Sequence, residues 1–272
     1  MSADRVGRYE TKPFSKNRRN VSIILGEAAK KHSIHAPLEL DVTMARETMR
    51  DMAARTGNKP SFTGWIIKCV AQALSEHREL NAYRLGPRKI VTFEDVDVAI
   101  PVERTVNGKY RTLVYIVRRA NEKSVWDITR EIRAAQREDI DEGTQVLGRN
   151  LTLFERIAVR SPAFVKRFFM WLLRRRGVMK KKHMGTVGVS AIGMIGDFPG
   201  GIVPLGGTQA MLVVLGGIEK KPGVVDDSIE IREMLHATIS IDHDIIDGGP
   251  LVRFISRLVE LTRQGYGLSE ER

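Results

Sequence analysis

The feature that most constrains the fold is a strand signal followed directly by a helix signal near the end of the 272-residue chain. Residues 236–241 alternate between apolar and polar side chains, as the two faces of a β-strand require. A turn rich in aspartate and glycine follows at residues 242–249, and a helix is predicted from residue 250 to about 264. The apolar stripe of this helix consists of Leu251, Ile255, Leu258 and Val259. The pattern predicts a loop held tightly between a sheet and a packed helix.

His243 lies in this loop, just after the predicted strand. Imidazole has an unperturbed pKa near neutrality, so a rigidly held histidine at this position is a candidate general base. The alternative is a structural histidine in a tight turn, and the loop pattern alone leaves both interpretations open. Asp247, or one of the glycines after it, is expected to cap the helix that follows.

Strand and helix signals alternate irregularly along the rest of the chain. This mixture predicts an α+β fold, a mixed α/β sandwich, and the absence of a linker rich in proline or serine indicates one domain over residues 1–272. An Asn-Gly turn at residues 106–109 predicts a hairpin. The predicted helices span residues 15–32, 43–56 (with Thr43 as N-cap), 62–78 and 123–137, and the predicted strands span 38–42, 82–85, 89–93, 95–102, 111–118, 186–191, 210–218 and 228–241.

The net charge of +11 is concentrated in one segment. Residues 155–182 hold ten basic side chains and one acidic side chain, and therefore carry +9 of the total. We interpret residues 150–183 as a basic helical insertion. It would form either a solvated helical hairpin packed on the body or an interfacial membrane helix with aromatic residues between basic ends. No DNA- or RNA-binding motif accompanies the charge, so we expect no nucleic-acid partner.

Several other classes of protein find no support in the sequence. The single cysteine, Cys69, excludes a disulfide framework and is predicted to lie in the core. His32 and His35 are too isolated for a metal site, so we expect no metal. Residues 1–19 lack the apolar core of a secretory signal, and the apolar run at 168–173 is far shorter than the roughly 20 residues of a bilayer span. We expect a cytoplasmic protein, with peripheral membrane contact through residues 155–182 as an open alternative.

The loop motif Asp-His-x-x-x-Asp-Gly resembles the signature of the coenzyme A-dependent acyltransferases. It is formed here by Asp242, His243, Asp247 and Gly248. This group contains the catalytic domains of the 2-oxoacid dehydrogenase dihydrolipoamide acyltransferases and the chloramphenicol acetyltransferases. Non-ribosomal peptide condensation domains usually carry a second histidine in place of Asp242, so the motif favours the dihydrolipoamide branch. Residues 61–82, 96–102 and 185–193 are similar to further segments of that branch, in the same order. The resemblance covers about residues 15–265 outside the basic segment.

The resemblance implies a chloramphenicol acetyltransferase-like fold and acyl transfer between coenzyme A and a dihydrolipoamide-like thiol. His243 would be the general base, Ser190 the hydroxyl that stabilises the oxyanion, and Asp247 an orienting residue. Arg19, with Arg18 as the alternative, matches the position of a structural partner for Asp247. The family also implies a homotrimer in which His243 comes from one chain and Ser190 from its neighbour.

Other expectations concern the partners. We expect a stand-alone member without a lipoyl domain, which uses a separate lipoylated protein or acyl carrier and carries no covalent lipoyl group of its own. The polar C-terminal tail favours a single trimer over a larger cage. Coenzyme A phosphates or an acidic carrier protein provide a third interpretation of the basic segment. The alternative function is a non-catalytic trimeric scaffold that binds a membrane surface or a dehydrogenase complex.

Overall fold

A computed structural model describes residues 7–106, 109–140, 147–148, 152–194, 196 and 198–269 of the chain. The strands of this part are β1 (Ser33–Asp41), β2 (Ala82–Leu85), β3 (Lys89–Thr92), β4 (Val98–Val106), β5 (Lys109–Val117), β6 (Val187–Ser190), β7 (Met211–Val225) and β8 (Ser228–Asp242). The helices are α1 (Lys16–Ala28), α2 (Thr43–Thr56), α3 (Phe62–Glu76), α4 (Val125–Arg137), α5 (Leu153–Arg160), α6 (Ala163–Arg175), α7 (Gly177–Met184) and α8 (Gly248–Arg263).

Six of these strands form one mixed sheet in the order β1-β8-β7-β6-β4-β5. β8 pairs antiparallel with both β1 and β7, and β4 pairs antiparallel with β5. The short strand β6 runs parallel to both of its neighbours. β2 and β3 form a separate hairpin. The predicted mixture of helices and sheet is therefore present, and β8 is an interior strand that ends one residue before the candidate histidine.

Helix α3 forms the centre of the hydrophobic core. Ser61 caps it by accepting a hydrogen bond from the backbone N–H of Gly64 at 3.2 Å. Trp65, Val70 and Cys69 on this helix are fully buried, as its broad apolar face predicts. The helix packs against α4 and α8, and side chains of all three helices join those of the sheet in one cluster. The prediction that Cys69 lies in the core is confirmed.

The predicted boundaries are wrong around β1. The first helix ends at Ala28 rather than at residue 32, and β1 starts at Ser33 rather than at Leu38. Pro37 lies inside this strand, opposite Thr238 of β8. A proline is tolerated there because β1 is an edge strand, and its open side needs no backbone donor. Thr43 is the first residue of α2 rather than its cap. Its hydroxyl donates to the carboxylate of Asp41 and accepts from the N–H of Glu233 rather than from an N–H of the helix.

The hairpin predicted between residues 95–102 and 111–118 is confirmed as the pair β4–β5. Its strands are longer than predicted, and their register closes with Val106 opposite Lys109. The turn residues Asn107 and Gly108 lie outside the described residues.

The basic segment contains the three helices α5, α6 and α7. Thr152 and Glu155 form a capping box at the start of α5, and Glu155 also contacts His183 on α7 at 2.9 Å. On the body, Arg118 donates to the carbonyl of Lys181 on α7 at 3.1 Å. The segment is thus attached to the fold through α7, and α6 also packs against α1 and β2. Within the described ranges, none of the helices is long and apolar enough to cross a bilayer.

Candidate active site

The loop between β8 and α8 is fixed by backbone hydrogen bonds at its first residues. The N–H of Asp242 donates to Ala210 at 2.8 Å, and the N–H of His243 donates to His32 on the neighbouring edge at 2.8 Å. The carbonyl of Asp242 accepts from the N–H of Ile246 at 3.0 Å, and the Ile246 side chain is buried in the core. The predicted rigid junction is therefore present, and it holds the backbone of His243 in one place.

The imidazole of His243 is exposed at this junction. Its side chain is 42% accessible, and Nδ1 lies 3.9 Å from Oδ1 of Asp247. Asp247 occupies the N-cap position of α8, but its side chain accepts no capping hydrogen bond and is almost fully exposed. Within the described part of the chain, no hydrogen bond involves Nε2 of His243. The imidazole therefore has a carboxylate 3.9 Å from Nδ1 on one side and is open on the other.

Asp242, in contrast, is turned into the protein. It is buried, and its Oδ2 lies 3.6 Å from Nζ of Lys31, which is also buried. Lys31 donates to the backbone carbonyl of Thr208 at 2.9 Å and to that of Gln209. Burial lowers the pKa of Lys31, and the adjacent Asp242 carboxylate acts against this shift. The ion pair ties the first residue of the loop to the end of α1. No periodic signal marks Lys31 in the sequence, so sequence reasoning missed it.

Ser190 is the last residue of β6 and is half-buried. Its hydroxyl makes no hydrogen bond within the described residues. The turn after it, Ile192–Met194, approaches the backbone of β7 so closely that a Cβ on Gly193 would lie 1.8 Å from the carbonyl oxygen of Gly216. Only glycine fits at this contact, which holds the end of β6 in place.

The structure does not bring Ser190 and His243 together within one chain. Ser190 pairs with Val214, which in turn pairs with Thr238 on β8. At about 3.3 Å per residue, the five residues from Thr238 to His243 span about 16 Å along the sheet. Two inter-strand spacings of about 4.8 Å add to this separation. The two side chains can therefore act on one substrate only if they come from different copies of the chain.

Arg19 is likewise not paired with Asp247. It lies on α1, where its side chain is exposed, and no ion pair joins it to Asp247 in the described ranges. Arg18, the alternative, is also exposed, and its backbone N–H donates to the capping hydroxyl of Ser15. Of the predicted site residues, the structure places only His243 and Asp247 side by side.

The described residues form no candidate metal site. No group of three or more His, Cys, Asp or Glu side chains is arranged there to hold a metal ion. His32 contacts Asp244 at 2.8 Å, and His35 contacts the hydroxyl of Ser240 at 2.7 Å. The chemistry that this arrangement can perform is proton transfer by His243.

Comparisons with known proteins agree on the family. The model of the family described as 2-oxoacid dehydrogenases acyltransferase (catalytic domain) matches residues 7–144 and 174–265, leaving out residues 145–173. The lipoamide acyltransferase component of the branched-chain alpha-keto acid dehydrogenase complex of Bacillus subtilis is 25% identical over 230 residues. These residues are 82% of this chain and 45% of that protein, so the chain spans less than half the length of this relative.

Solved structures share the fold over nearly the whole chain. A probable dihydrolipoamide acetyltransferase from Listeria monocytogenes superposes with a TM-score of 0.67 at 20% identity, covering 98% of both chains. The dihydrolipoamide acetyltransferase of Azotobacter vinelandii gives a TM-score of 0.68 at 17% identity, covering 96% of this chain and 94% of that one.

These findings confirm the predicted coenzyme A-dependent acyltransferase fold and the preference for the dihydrolipoamide branch. The family match includes both the β6 region and the loop after β8, where Ser190 and His243 lie. The chain belongs to the family of 2-oxoacid dehydrogenase acyltransferase catalytic domains.

Proposed function

We propose that this protein transfers an acyl group between coenzyme A and a dihydrolipoamide-like thiol, with His243 as the general base. The observation that carries the proposal is the exposed imidazole at a rigid strand-to-helix junction in a chain of this family. A separate lipoylated protein or acyl carrier would supply the acceptor thiol. Coenzyme A enters as a substrate, and no metal takes part.

The reaction begins with proton transfer from the attacking thiol to Nε2 of His243. A free thiol has a pKa near 8.5, so only a few per cent is thiolate at pH 7 without a base. The thiolate sulfur attacks the carbonyl carbon of the acyl thioester and forms a tetrahedral oxyanion. The oxyanion then collapses, the bond to the leaving sulfur breaks, and that sulfur takes the proton back from His243. The overall step exchanges one thioester for another, so no further reactant is needed.

Ser190 of a neighbouring copy would donate its hydroxyl to the oxyanion. One hydrogen-bond donor of this kind is worth about 3 kcal/mol of transition-state stabilisation. Because Ser190 and His243 are far apart in one chain, the proposal requires a site between subunits, as in a homotrimer. The Ser190 hydroxyl makes no hydrogen bond within the described residues, which supports this role.

A second observation supports assembly. Beyond Val214, β7 pairs only with β8, and β8 pairs with β1 only from Met234 onward, so residues 220–233 form a two-stranded arm beyond the sheet. Val224, Ile229 and Ile231 on this arm are each at least 75% exposed. An apolar arm with unpaired edges is a surface that another chain is expected to cover. We assign that role to a second copy of this chain.

Asp247 is proposed to orient the imidazole. Its carboxylate approaches Nδ1 of His243, and a movement of about 1 Å would bring the pair to hydrogen-bond distance. Accepting a hydrogen bond from Nδ1–H would leave Nε2 as the base. In the Azotobacter vinelandii enzyme, the catalytic roles of a serine, a histidine and an asparagine four residues after that histidine have been investigated. Arg19 remains a proposed partner of Asp247 in the assembled protein.

The test is an acyl-transfer assay with a panel of acyl-coenzyme A donors and dihydrolipoamide as acceptor. His243→Ala is expected to lower kcat by at least about a hundredfold, because general-base catalysis contributes factors of this size. His77→Ala removes an imidazole from the end of α3, in a different part of the fold, and serves as the control. Equal rates for the wild type and both variants with every donor would refute the catalytic role.

One observation favours a non-catalytic function. Phe164 and Phe168 on α6 are 72% and 56% exposed, and Trp171 lies on the same helical face with Arg175 over its ring. This is the composition of an interfacial helix, with aromatic residues beside basic ones. A trimeric scaffold held at a membrane surface is therefore the second candidate, and the transfer assay separates it from the first.

A further inference from the structure

A pocket of about 270 Å³ adjoins the catalytic loop at Asp242 and Asp244. Its other walls come from the end of α1, from β2 with the turn after it, and from the junction of α6 and α7. The pocket is strongly cationic, because six basic residues line it against two acidic ones. The basic residues are Lys30, Lys31, Arg84, Arg174, Arg175 and Lys180.

Lys180 lies at the floor of this pocket and is only 7% exposed. Its ammonium nitrogen sits 4.4 Å from the centre of the Tyr83 ring. It forms no hydrogen bond or ion pair with any described residue. Burial is the main cause that lowers the pKa of Lys180 to about 7; Lys31 and Arg174 add repulsion, and the charges of Asp242 and Glu27 offset part of it. A buried ammonium group without a direct ion-pair partner among the described residues is an arrangement that a bound anion would complete.

The two acidic residues of the pocket do not supply that counter-ion. Asp242 is held by Lys31, and Asp244 is held by His32 outside the pocket. Arg174 has no carboxylate partner in the part of the chain that the structure describes. Arg175 stacks over Trp171 at 4.4 Å and has no carboxylate partner in those ranges either. Three cations from the basic segment therefore share one cavity, and the nearby acids Asp242 and Glu27 form their ion pairs with Lys31 and Lys30 instead.

The part of the pocket wall that carries these cations is held by contacts between secondary-structure elements. The N–H of Gly86 donates to the carbonyl of Arg175 at 2.8 Å, which ties the end of α6 to the turn after β2. A Cβ on Gly177 would lie 2.7 Å from the Cβ of Tyr83, so the start of α7 touches β2 directly. The backbone that carries Arg174, Arg175 and Lys180 is therefore held in place by these contacts.

We infer that this pocket binds a phosphate or diphosphate group of a small ligand, held by Lys180, Arg174 and Arg175. A phosphate monoester carries nearly two negative charges near pH 7 and three terminal oxygens, which suit several converging donors. At about 270 Å³ the cavity is large enough for a diphosphate group. The rest of the ligand would leave past Arg84 and Lys30, which are exposed at the mouth.

The phosphate has two conceivable sources. One is coenzyme A itself, and the other is a separate phosphorylated effector that acts on the loop through Asp242. Both use the same recognition chemistry, and neither requires the proposed thiol reaction for binding to occur.

The test is calorimetric titration of the full-length protein with inorganic pyrophosphate at low ionic strength. Lys180→Met removes the charge and keeps the length of the side chain, and Arg174→Gln is a second variant at the same pocket. Lys182→Met makes the same charge change on an exposed position of α7 and is the matched control. We expect saturable binding to the wild type, weakened roughly tenfold or more by each pocket variant and less than about twofold by the control.

Competition identifies the source. Displacement of pyrophosphate by coenzyme A assigns the site to the substrate, and undiminished binding in its presence assigns it to a separate effector. Absence of saturable binding to the wild type, or equal weakening by Lys180→Met and Lys182→Met, overturns the inference. His243→Ala should bind pyrophosphate as the wild type does, so a failure of the proposed reaction is distinguishable from a failure of this site.

Discussion

Ser190 and His243 lie two strands apart, and Ser190 is level with Thr238, five residues before the histidine. No rotation of either side chain closes such a separation. If both residues act on the same thioester, as proposed, each site must combine the serine of one copy with the histidine of another.

This arrangement predicts complementation between two inactive variants. His243→Ala and Ser190→Ala are each expected to be strongly impaired alone. When the two chains are mixed randomly in equal amounts, about a quarter of the sites should combine an intact serine with an intact histidine. Co-expression of differently tagged chains and the transfer assay would measure this fraction. Mixtures no more active than the separate variants would rule out a shared site.

Asp247 should tolerate an amide better than an apolar side chain. Asp247→Asn keeps an oxygen that can accept from Nδ1 of His243, whereas Asp247→Ala removes it. We expect the alanine variant to lose roughly ten- to a hundredfold in kcat and the asparagine variant to retain most of it. Steady-state kinetics with saturating acceptor would show the difference. Equal losses in both variants would mean that the negative charge, rather than the orientation, is what matters.

The buried amine of Lys180 should make stability depend on pH. Its pKa of about 7 lies below the ordinary 10.5 because of burial and of Lys31 and Arg174, while Asp242 and Glu27 act in the opposite direction. Between these values the unfolded chain binds more protons than the folded chain, so the free energy of unfolding rises with pH. The facing Tyr83 hydroxyl does not titrate in this range, because burial raises its pKa well above 10.

Urea denaturation at pH 7 and pH 9.5 measures this dependence. Lys180→Met should show a smaller rise in unfolding free energy than the wild type, and Lys182→Met should behave as the wild type. A rise of the same size in all three proteins would contradict the prediction.

Gly193 should be sensitive to a single methyl group. A Cβ at this position would overlap the carbonyl of Gly216, whereas a Cβ at Gly196 in the same loop meets nothing within 4 Å. Gly193→Ala is therefore expected to destabilise the fold by about 1–3 kcal/mol, a fall in Tm of several degrees. Gly196→Ala should leave Tm within about a degree of the wild type. Differential scanning fluorimetry is sufficient, and identical melting of the two variants would argue against the tight contact.

Membrane contact by α6 remains a prediction that flotation can decide. If Phe164 and Phe168 enter a bilayer, the double change to serine should abolish co-flotation with vesicles containing anionic lipid. Val252→Ser, which alters an exposed apolar residue of α8, should have no effect. Flotation that is absent in the wild type, or unaltered by the double change, would leave the aromatic face of α6 without a membrane role.

Sequence patterns predicted the fold best for helices and strands whose own residues determine their structure. The alternation in β8 and the stripe of α8 defined the loop between them, and with it the proximity of His243 and Asp247. Pro250 is the third residue of α8 rather than the first, which is tolerated because the first turn has no intrahelical acceptors for its donors. The predicted boundaries were wrong at β1, because Pro37 is acceptable in that strand only through its position at the edge of the sheet.

Contacts between distant segments could not be predicted in this way. The ion pair of Lys31 with Asp242 depends on how α1, β2 and α7 pack, and so does the position of the Lys180 ammonium over the Tyr83 ring. No periodicity encodes such packing. The sequence therefore revealed the charge of the basic segment but not the cavity that its charged side chains line. The separation of Ser190 from His243 likewise required the strand order and register.

The apolar arm formed by β7 and β8 has a consequence for handling the protein. If a second copy covers Val224, Ile229 and Ile231, the folded state gains stability by mass action and depends on the total concentration of chains. Specific activity should then fall on dilution and recover on concentration, and the melting temperature should rise with protein concentration. Newly made chains would be most prone to aggregation before they meet a partner, so the rate of synthesis would affect the yield of active protein.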